Sequence, residues 1–302
     1  MTGSMAQEIR ALVREHNAVL LAHNYQRAEV QEVADFVGDS LGLSRQAAAT
    51  DAEWIVFAGV HFMAETAKLL SPGKRVSMPE PRAGCPMADM MDAADLAKWR
   101  DDNPGIPVVT YVNSTAAVKA LTDVCVTSAN AVAVVRSLGA PKVLFGPDRN
   151  LAWWVARSLP DVEVIPWSGY CPTHEQVTAQ AVLEAKSRHS SAKVMVHPEC
   201  RPEVIELADA VLSTSQMLSY AADSPAQEFI VVTEEGLIHA LSKAAPGKRF
   251  VGLESRMLCP NMKLTTLEKV RDCLRDGTGD IEIDPQIAAA ARGAVERMVR
   301  IG

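Results

Sequence analysis

Apolar residues along this chain gather into short runs of three to five. Val19-Leu20-Leu21-Ala22, Trp54-Ile55-Val56-Phe57, Pro107-Val108-Val109-Thr110, Lys142-Val143-Leu144-Phe145, Val194-Met195-Val196 and Phe229-Ile230-Val231-Val232 are rich in β-branched residues and bounded by polar ones. Runs of that length and composition predict buried strands. Between them the spacing of apolar positions turns helical, over 29–37, 64–70, 130–137, 151–158 and 174–186. Strands alternating with helical stretches of about 10 to 15 residues read as βαβ units on parallel sheets. No run approaches the ~18 apolar residues that a membrane span requires.

The pattern also repeats, and a repeat governs the whole fold. Three of the runs end in a polar tripeptide: His23-Asn24-Tyr25, Tyr111-Val112-Asn113 and His197-Pro198-Glu199. Roughly 15 to 17 residues later a small polar cluster opens a helical pattern: Gly38-Asp39-Ser40, Thr127-Ser128-Ala129-Asn130 and Ser213-Thr214-Ser215. A second strand follows, then a loop containing Gly84-Cys85-Pro86, Tyr170-Cys171-Pro172 or Leu258-Cys259-Pro260. From the first residue of each tripeptide to its cysteine is 62 (23 to 85), 60 (111 to 171) and 62 (197 to 259) residues. From that residue to the middle of the second strand is 34, 34 and 35. A length of 302 residues by itself suggests about two domains. The repeat changes this to three, at 8–84, 85–170 and 171–261, with the first completed by 262–302. Ligands approach the carboxyl ends of parallel strands. The expected fold class is therefore α/β, with three homologous parallel-sheet αβα domains arranged with pseudo-threefold symmetry around a central cavity. The helical stretch 287–299 is expected to close back on the outside, and Met1-Thr2-Gly3-Ser4 stand apart from this arrangement.

Charge narrows the function. There are 37 acidic and 30 basic residues, a net charge of −7, and no basic block, which argues against nucleic-acid binding. No basic stretch followed by an apolar one opens the chain, so no secretory signal is expected and the protein reads as globular and cytoplasmic. The six cysteines lie at 85, 125, 171, 200, 259 and 273 with no C-x-x-C pair, which excludes zinc fingers and thioredoxin-like motifs.

Cys85, Cys171 and Cys259 share one position in the repeat, and each precedes proline, which stiffens the turn carrying it. Three thiolates at one cavity form a metal site with a position left for substrate. Thiolate ligation selects zinc or an iron–sulfur cluster, and an open position makes the metal a Lewis acid. Cys125 lies in a strand-like run and reads as core, Cys273 falls on a polar helix, and Cys200 beside Glu199 reads as a packed thiol near the cavity. The tripeptides supply acid–base groups: His23 and Tyr25, Tyr111 and Asn113, His197 and Glu199. Glu199 suits a general base and Tyr25 an acid. Ser40, Ser128 and Thr214 read as equivalent N-caps, whose helix ends also suit a small, multiply anionic ligand. His16, His61, His174, His189 and His239 read as structural or surface residues, and Trp153-Trp154 and the stretch 87–91 as core-filling.

Eight strings in order, among them Leu21-Ala22-His23-Asn24-Tyr25-Gln26, Val37-Gly38-Asp39-Ser40, Tyr111-Val112-Asn113-Ser114, Phe145-Gly146-Pro147-Asp148, His197-Pro198-Glu199-Cys200 and Cys259-Pro260-Asn261-Met262-Lys263, resemble the quinolinate synthase family. The resemblance runs from about residue 9 to the C-terminus. It implies a [4Fe–4S] cluster held by Cys85, Cys171 and Cys259 with one iron open to substrate. The implied reaction condenses iminoaspartate with dihydroxyacetone phosphate to quinolinate, losing phosphate and two waters. Substrate binding maps onto His23, Ser40, Tyr111, Asn113, Ser128, His197, Glu199, Ser213 and Thr214, and acid–base work onto Tyr25, Tyr111 and Glu199. A functional link to L-aspartate oxidase or aspartate dehydrogenase follows, with no nucleic-acid or membrane partner. Some members carry C-x-x-C-x-x-C near the third ligand, whereas Cys259 stands alone here, as in the shorter type. Two other readings compete: a zinc-dependent hydrolase or lyase using the same cysteines, and a non-catalytic metabolite sensor on the same scaffold.

Overall fold

The computed structural model describes residues 2–301. Each apolar run that the sequence marks becomes a central strand of a four-stranded, all-parallel sheet. The first sheet contains β1 (Ala18–His23), β2 (Phe36–Gly38), β3 (Trp54–Ala58) and β4 (Arg75–Ser77). The second contains β5 (Val108–Tyr111), β6 (Val124–Val126), β7 (Lys142–Gly146) and β8 (Glu163–Pro166). The third contains β9 (Lys193–Val196), β10 (Ala210–Val211), β11 (Glu228–Val232) and β12 (Arg249–Val251). All three have the spatial order second, first, third, fourth. In that order the winding reverses between the first and third strands, and the crevice at their carboxyl ends is where open α/β sheets bind ligands. The polar tripeptides stand at this crevice: β1 ends at His23, β5 at Tyr111, and β9 one residue before His197.

Strand register makes the repeat explicit. Ala22 pairs with Ala58, Thr110 with Gly146, and Val196 with Val232, so these pairs are equivalent in the three units. The edge strands escape the apolar pattern because they are only two to four residues long and several are partly exposed. β6 is the exception: it is wholly buried and carries Cys125, as the run around that residue predicts. Side chains from all three sheets, among them Leu21, Ile55, Val109, Phe145, Met195 and Phe229, join one apolar cluster, so the units share a core. Removing the fully buried Phe145 ring by substitution with alanine is expected to cost about 3–5 kcal/mol.

Several sequence expectations change. The helix expected over 29–37 stops at Val33, and its end becomes β2, because the Asp35 side chain turns back to accept the Leu20 backbone N–H. The helix expected over 174–186 splits into Pro172–Glu175 and Ala179–Arg188, since Thr178 caps the second piece. The C-terminal helix Pro285–Arg300 closes back over the first two units as expected, one face packed and the other partly exposed. Its stripe Ala291, Ala294, Val295 and Met298 is fully buried, and it wedges between His61–Leu70 of the first unit and Ala116–Lys119 with β6 of the second. The helix Leu267–Asp276 packs on Thr2–Glu15, and buries Cys273 against the first sheet. Residues 2–4, expected to stand apart, belong to that first helix, and Met1 lies outside the described residues. The connection between these C-terminal helices needs glycine at 279, with φ +83: a Cβ would stand 2.1 Å from the Met78 carbonyl oxygen. No helix among the described residues is long and apolar enough to cross a membrane.

Candidate active site

The crevices of all three sheets open onto one cavity, which encloses about 900 Å³ of empty space, part of it continuous with solvent. His23, Tyr25 and Ser40 line it from the first unit, Tyr111, Asn113 and Ser128 from the second, and His197, Glu199 and Thr214 from the third. Cys85, Cys171 and Cys259 line it as well, each on its Pro-stiffened turn. Ser213 does not. Its hydroxyl caps the helix Thr214–Asp223 in a capping box with Gln216 and also donates to Asp39. Cys200 is buried behind Glu199, outside the lining.

The N-cap expectation shifts by one or two residues. Asp39, not Ser40, caps Ser40–Ala49, and Ser213, not Thr214, caps Thr214–Asp223. Asn130, not Ser128, precedes Ala131–Ser137, and its side chain bonds back to Thr127 without capping. The capping residue must have extended backbone for its side-chain oxygen to reach an amide two or three residues on, which Asp39 and Ser213 have. The consequence is chemical: Ser40, Ser128 and Thr214 keep their hydroxyls on the cavity wall.

A hydrogen-bonded chain links Tyr111, Glu199, His174 and Tyr25 of the cavity lining through Thr233, which lies outside it. The Tyr111 hydroxyl donates to Glu199 Oε1 at 2.7 Å, and Glu199 Oε2 lies 2.8 Å from His174 Nδ1. His174 Nε2 lies 2.9 Å from Thr233 Oγ1, which lies 2.6 Å from the Tyr25 hydroxyl. The three groups given acid–base roles thus come from three units and are joined through two residues that the sequence reading missed. His174, read there as structural or surface, is 1% exposed and sits inside the chain, 3.2 Å from Cys171 Sγ. Its signal was its place, three residues after the cysteine. Thr233 directly follows β11, just as the tripeptides follow their strands.

Electrostatics set the protonation states. Burial alone would raise the Glu199 carboxyl, but the neighbouring His174 and His197 imidazoles and the hydrogen bonds from His174 and Tyr111 hold it below the usual range. Burial, reinforced by that carboxylate, pushes the Tyr25 and Tyr111 phenols well above theirs. His23 is lowered to about 3 and His197 to about 4, chiefly by burial. Both rings are fixed in one way: the backbone N–H of Tyr25 donates to His23 Nδ1 at 3.1 Å, and that of Glu199 to His197 Nδ1 at 3.4 Å. A neutral ring accepting at Nδ1 carries its proton on Nε2. Asn113 Oδ1 is buried without a protein partner and is free to accept from a ligand.

The family model described as quinolinate synthetase A protein matches residues 7–300. The chain is 50% identical over 301 residues to a quinolinate synthase of Thermodesulfovibrio yellowstonii, covering 100% of this chain and 99% of that protein. It is 52% identical over 301 residues to one of Pelobacter propionicus (100% and 99% covered) and 52% over 297 residues to one of Dehalococcoides mccartyi (98% and 98%). The chain belongs to the quinolinate synthetase A family.

Membership makes the cysteines the next question, and their chemistry fits a thiolate-held metal group. Burial raises Cys85 to about 12, and Cys171 and Cys259 also lie above the ordinary thiol value. Buried thiols become thiolates when a metal takes the place of their protons. Three thiolates on one tetrahedral zinc, with Zn–S about 2.3 Å, stand about 3.8 Å apart. Among the described residues the one Cys/His/Asp/Glu group whose ligand atoms all lie within 4.8 Å of one another is Cys171, His174 and Glu199. The three cysteines are therefore spread more widely than a single zinc ion would draw them.

Proposed function

We propose that the protein is a quinolinate synthase that condenses iminoaspartate with dihydroxyacetone phosphate and releases quinolinate, phosphate and two waters. Atoms balance without an added oxidant or reductant. The observation that carries this reading is the Tyr111–Glu199–His174–Thr233–Tyr25 chain on the same cavity as the three cysteines.

Each dehydration needs a base at a C–H bond and an acid at the departing hydroxyl. Glu199, held ionised, accepts the proton at a carboxylate oxygen, and Tyr25, held protonated, gives one from its hydroxyl. The hydrogen bonds through His174 and Thr233 hold the base and the acid in fixed relation, and exchange with solvent, to which the cavity is partly open, returns Glu199 to carboxylate and Tyr25 to phenol between turnovers. Among the described residues the lining contains no lysine or arginine. The anionic substrates are therefore held by neutral donors: Nε2–H of His23 and His197, the Asn113 amide, and the hydroxyls of Ser40, Ser128 and Thr214. Ser213, outside the lining, serves the helix cap rather than the substrate. Cys85, Cys171 and Cys259 would hold a [4Fe–4S] cluster, which supplies Lewis-acid polarisation of a substrate hydroxyl through an open iron. Closing the cavity between units would protect the imine from water.

In the same reading the three units, 8–84 with 262–302, 85–170 and 171–261, surround the cavity with pseudo-threefold symmetry. The protein works in the cytoplasm, downstream of an enzyme that oxidises aspartate, an L-aspartate oxidase or aspartate dehydrogenase. Metal and sulfide analysis of anaerobically purified protein, followed by a quinolinate assay, tests the proposal. About four irons and four sulfides per chain with product formed is the expected result. A colourless protein with stoichiometric zinc would overturn the cluster. Ligand binding that survives Tyr25→Phe and Glu199→Gln, with no product from the parent protein, would make the protein a sensor.

A further inference from the structure

Strand register places Val60, Asp148 and Glu234 at one position of the repeat, two residues beyond the last paired residue of β3, β7 and β11. Two of the three are carboxyls, and both are fully buried. Each faces the backbone of the cysteine that follows it in the repeat. Glu234 Oε1 accepts the Cys259 N–H at 3.2 Å, and the Cys171 N–H is among the backbone donors that face Asp148. Val60 offers the Cys85 turn no such acceptor.

The third unit carries the device further. Lys263 Nζ lies 2.8 Å from Glu234 Oε1 and 3.0 Å from Oε2, and it also donates to the Tyr25 carbonyl oxygen. Glu234 Oε2 accepts the Gly236 N–H at 2.8 Å. The fit around the pair leaves no room at residue 236: a Cβ there would lie 2.7 Å from Lys263 Nζ, 2.8 Å from Glu234 Oε2 and 2.9 Å from the Gln26 carbonyl oxygen. One buried ion pair thus holds the backbone on both sides of the cavity, at Cys259 and at Tyr25. A buried pair with its remaining hydrogen bonds satisfied fixes geometry, whereas removing one partner leaves the other without compensation.

We propose that Glu234 and Lys263 are positioning residues that tie the Cys259 turn to the Tyr25 backbone, with Asp148 the weaker counterpart behind Cys171. This rests on the reading of Cys259 as a metal-holding thiol. The turn is held before any metal arrives, so cysteine accessibility and metal retention are set by the same clamp.

The test has two arms. In the metal-free protein, the alkylation rate of each cysteine is followed by peptide mass spectrometry for the parent, Glu234→Gln and Lys263→Met, with thermal melting as a check on folding. Loosening of the turn speeds Cys259 about five- to tenfold in both variants and leaves Cys85 unchanged. Charge alone would act in opposite directions, since removing the carboxylate favours the thiolate and removing the ammonium disfavours it. Opposite shifts, unchanged Cys259 rates, or equal acceleration of all three cysteines would each overturn the proposal. In the anaerobically purified protein, iron release to a chelator should be about tenfold faster in both variants, with Lys263→Arg restoring most of the retention. Equal release rates in a parent that holds iron would also overturn it. A parent that holds no iron, together with selective Cys259 alkylation, would remove the cluster reading and leave the clamp standing.

Discussion

The first and third units end their first strands in the same way, and the second unit does not. His23 and His197 occupy equivalent positions, accept the backbone N–H two residues on, and present neutral rings to the cavity. Tyr111 stands in their place in the second unit, and its hydroxyl reaches out of the unit to Glu199. The backbone frame is shared while the side chains have divided: two units present an imidazole to the cavity, and one sends a phenol to the Glu199 carboxylate. In the proposed function, that phenol-for-imidazole difference at one strand end separates holding substrate from tuning the proton acceptor.

The largest expected effect strikes the group on which the units converge. Glu199→Gln should lower kcat about 10³-fold, within the range attributed to a positioned base, with melting temperature little changed; activity within tenfold of the parent would remove Glu199 from the chemistry. The comparison sharpens in the next pair. Tyr111→Phe should lower kcat about 10²-fold with KM nearly constant, whereas His23→Asn and His197→Asn should act mainly on KM, by about tenfold. If all three variants changed the same parameter, the division of labour between the units would fail.

The histidines also make a pH prediction. Below 6.5 the unfolded chain protonates both rings, while the folded chain keeps His23 neutral to about 3 and His197 to about 4. The unfolded state then binds more protons, so stability is lost as pH falls below 6.5 toward those values. Between pH 7 and 5.5 the parent should lose about 2 kcal/mol more than the His23→Asn/His197→Asn double variant, measured by chemical denaturation. Equal slopes would mean that the rings are charged in the fold. The smallest effect separates two adjacent residues. Ser213→Ala should cost about 1 kcal/mol of stability through the lost cap and leave KM near the parent value. Thr214→Ala should raise KM a few-fold as well as cost about 1 kcal/mol, since its hydroxyl also accepts the buried Asn24 amide; an unchanged KM would take Thr214 out of substrate binding.

Much of this could be read in the chain because repeats are local. Alternating runs of Val, Ile and Phe fix which strands lie at the centre of each sheet, and equal spacing fixes that His23, Tyr111 and His197 end equivalent strands. The same spacing selects Cys85, Cys171 and Cys259 from six cysteines. What escaped the reading depends on short or non-repeating features. β10 has two residues and no apolar run. The partners of the C-terminal helix escape too, because its buried stripe, Ala291 and Ala294 among it, does not say which units it packs on. Ser40 and Thr214 looked like caps because the residue types suit it, but backbone conformation gave that task to the residues before them.

The amino-acid sequence by itself determined three α/β units, the strand ends that open on the cavity and the cysteines that share a position, because hydrophobic period and spacing act along the chain. Only the tertiary structure decided who touches whom. Tyr25 and Thr233 are 208 residues apart, Tyr111 and Glu199 88 apart, and Lys263 lies 238 residues from the carbonyl it holds. Such contacts depend on how three separately patterned units close on one another. Burial at that junction then sets which groups hold their protons and which give them up.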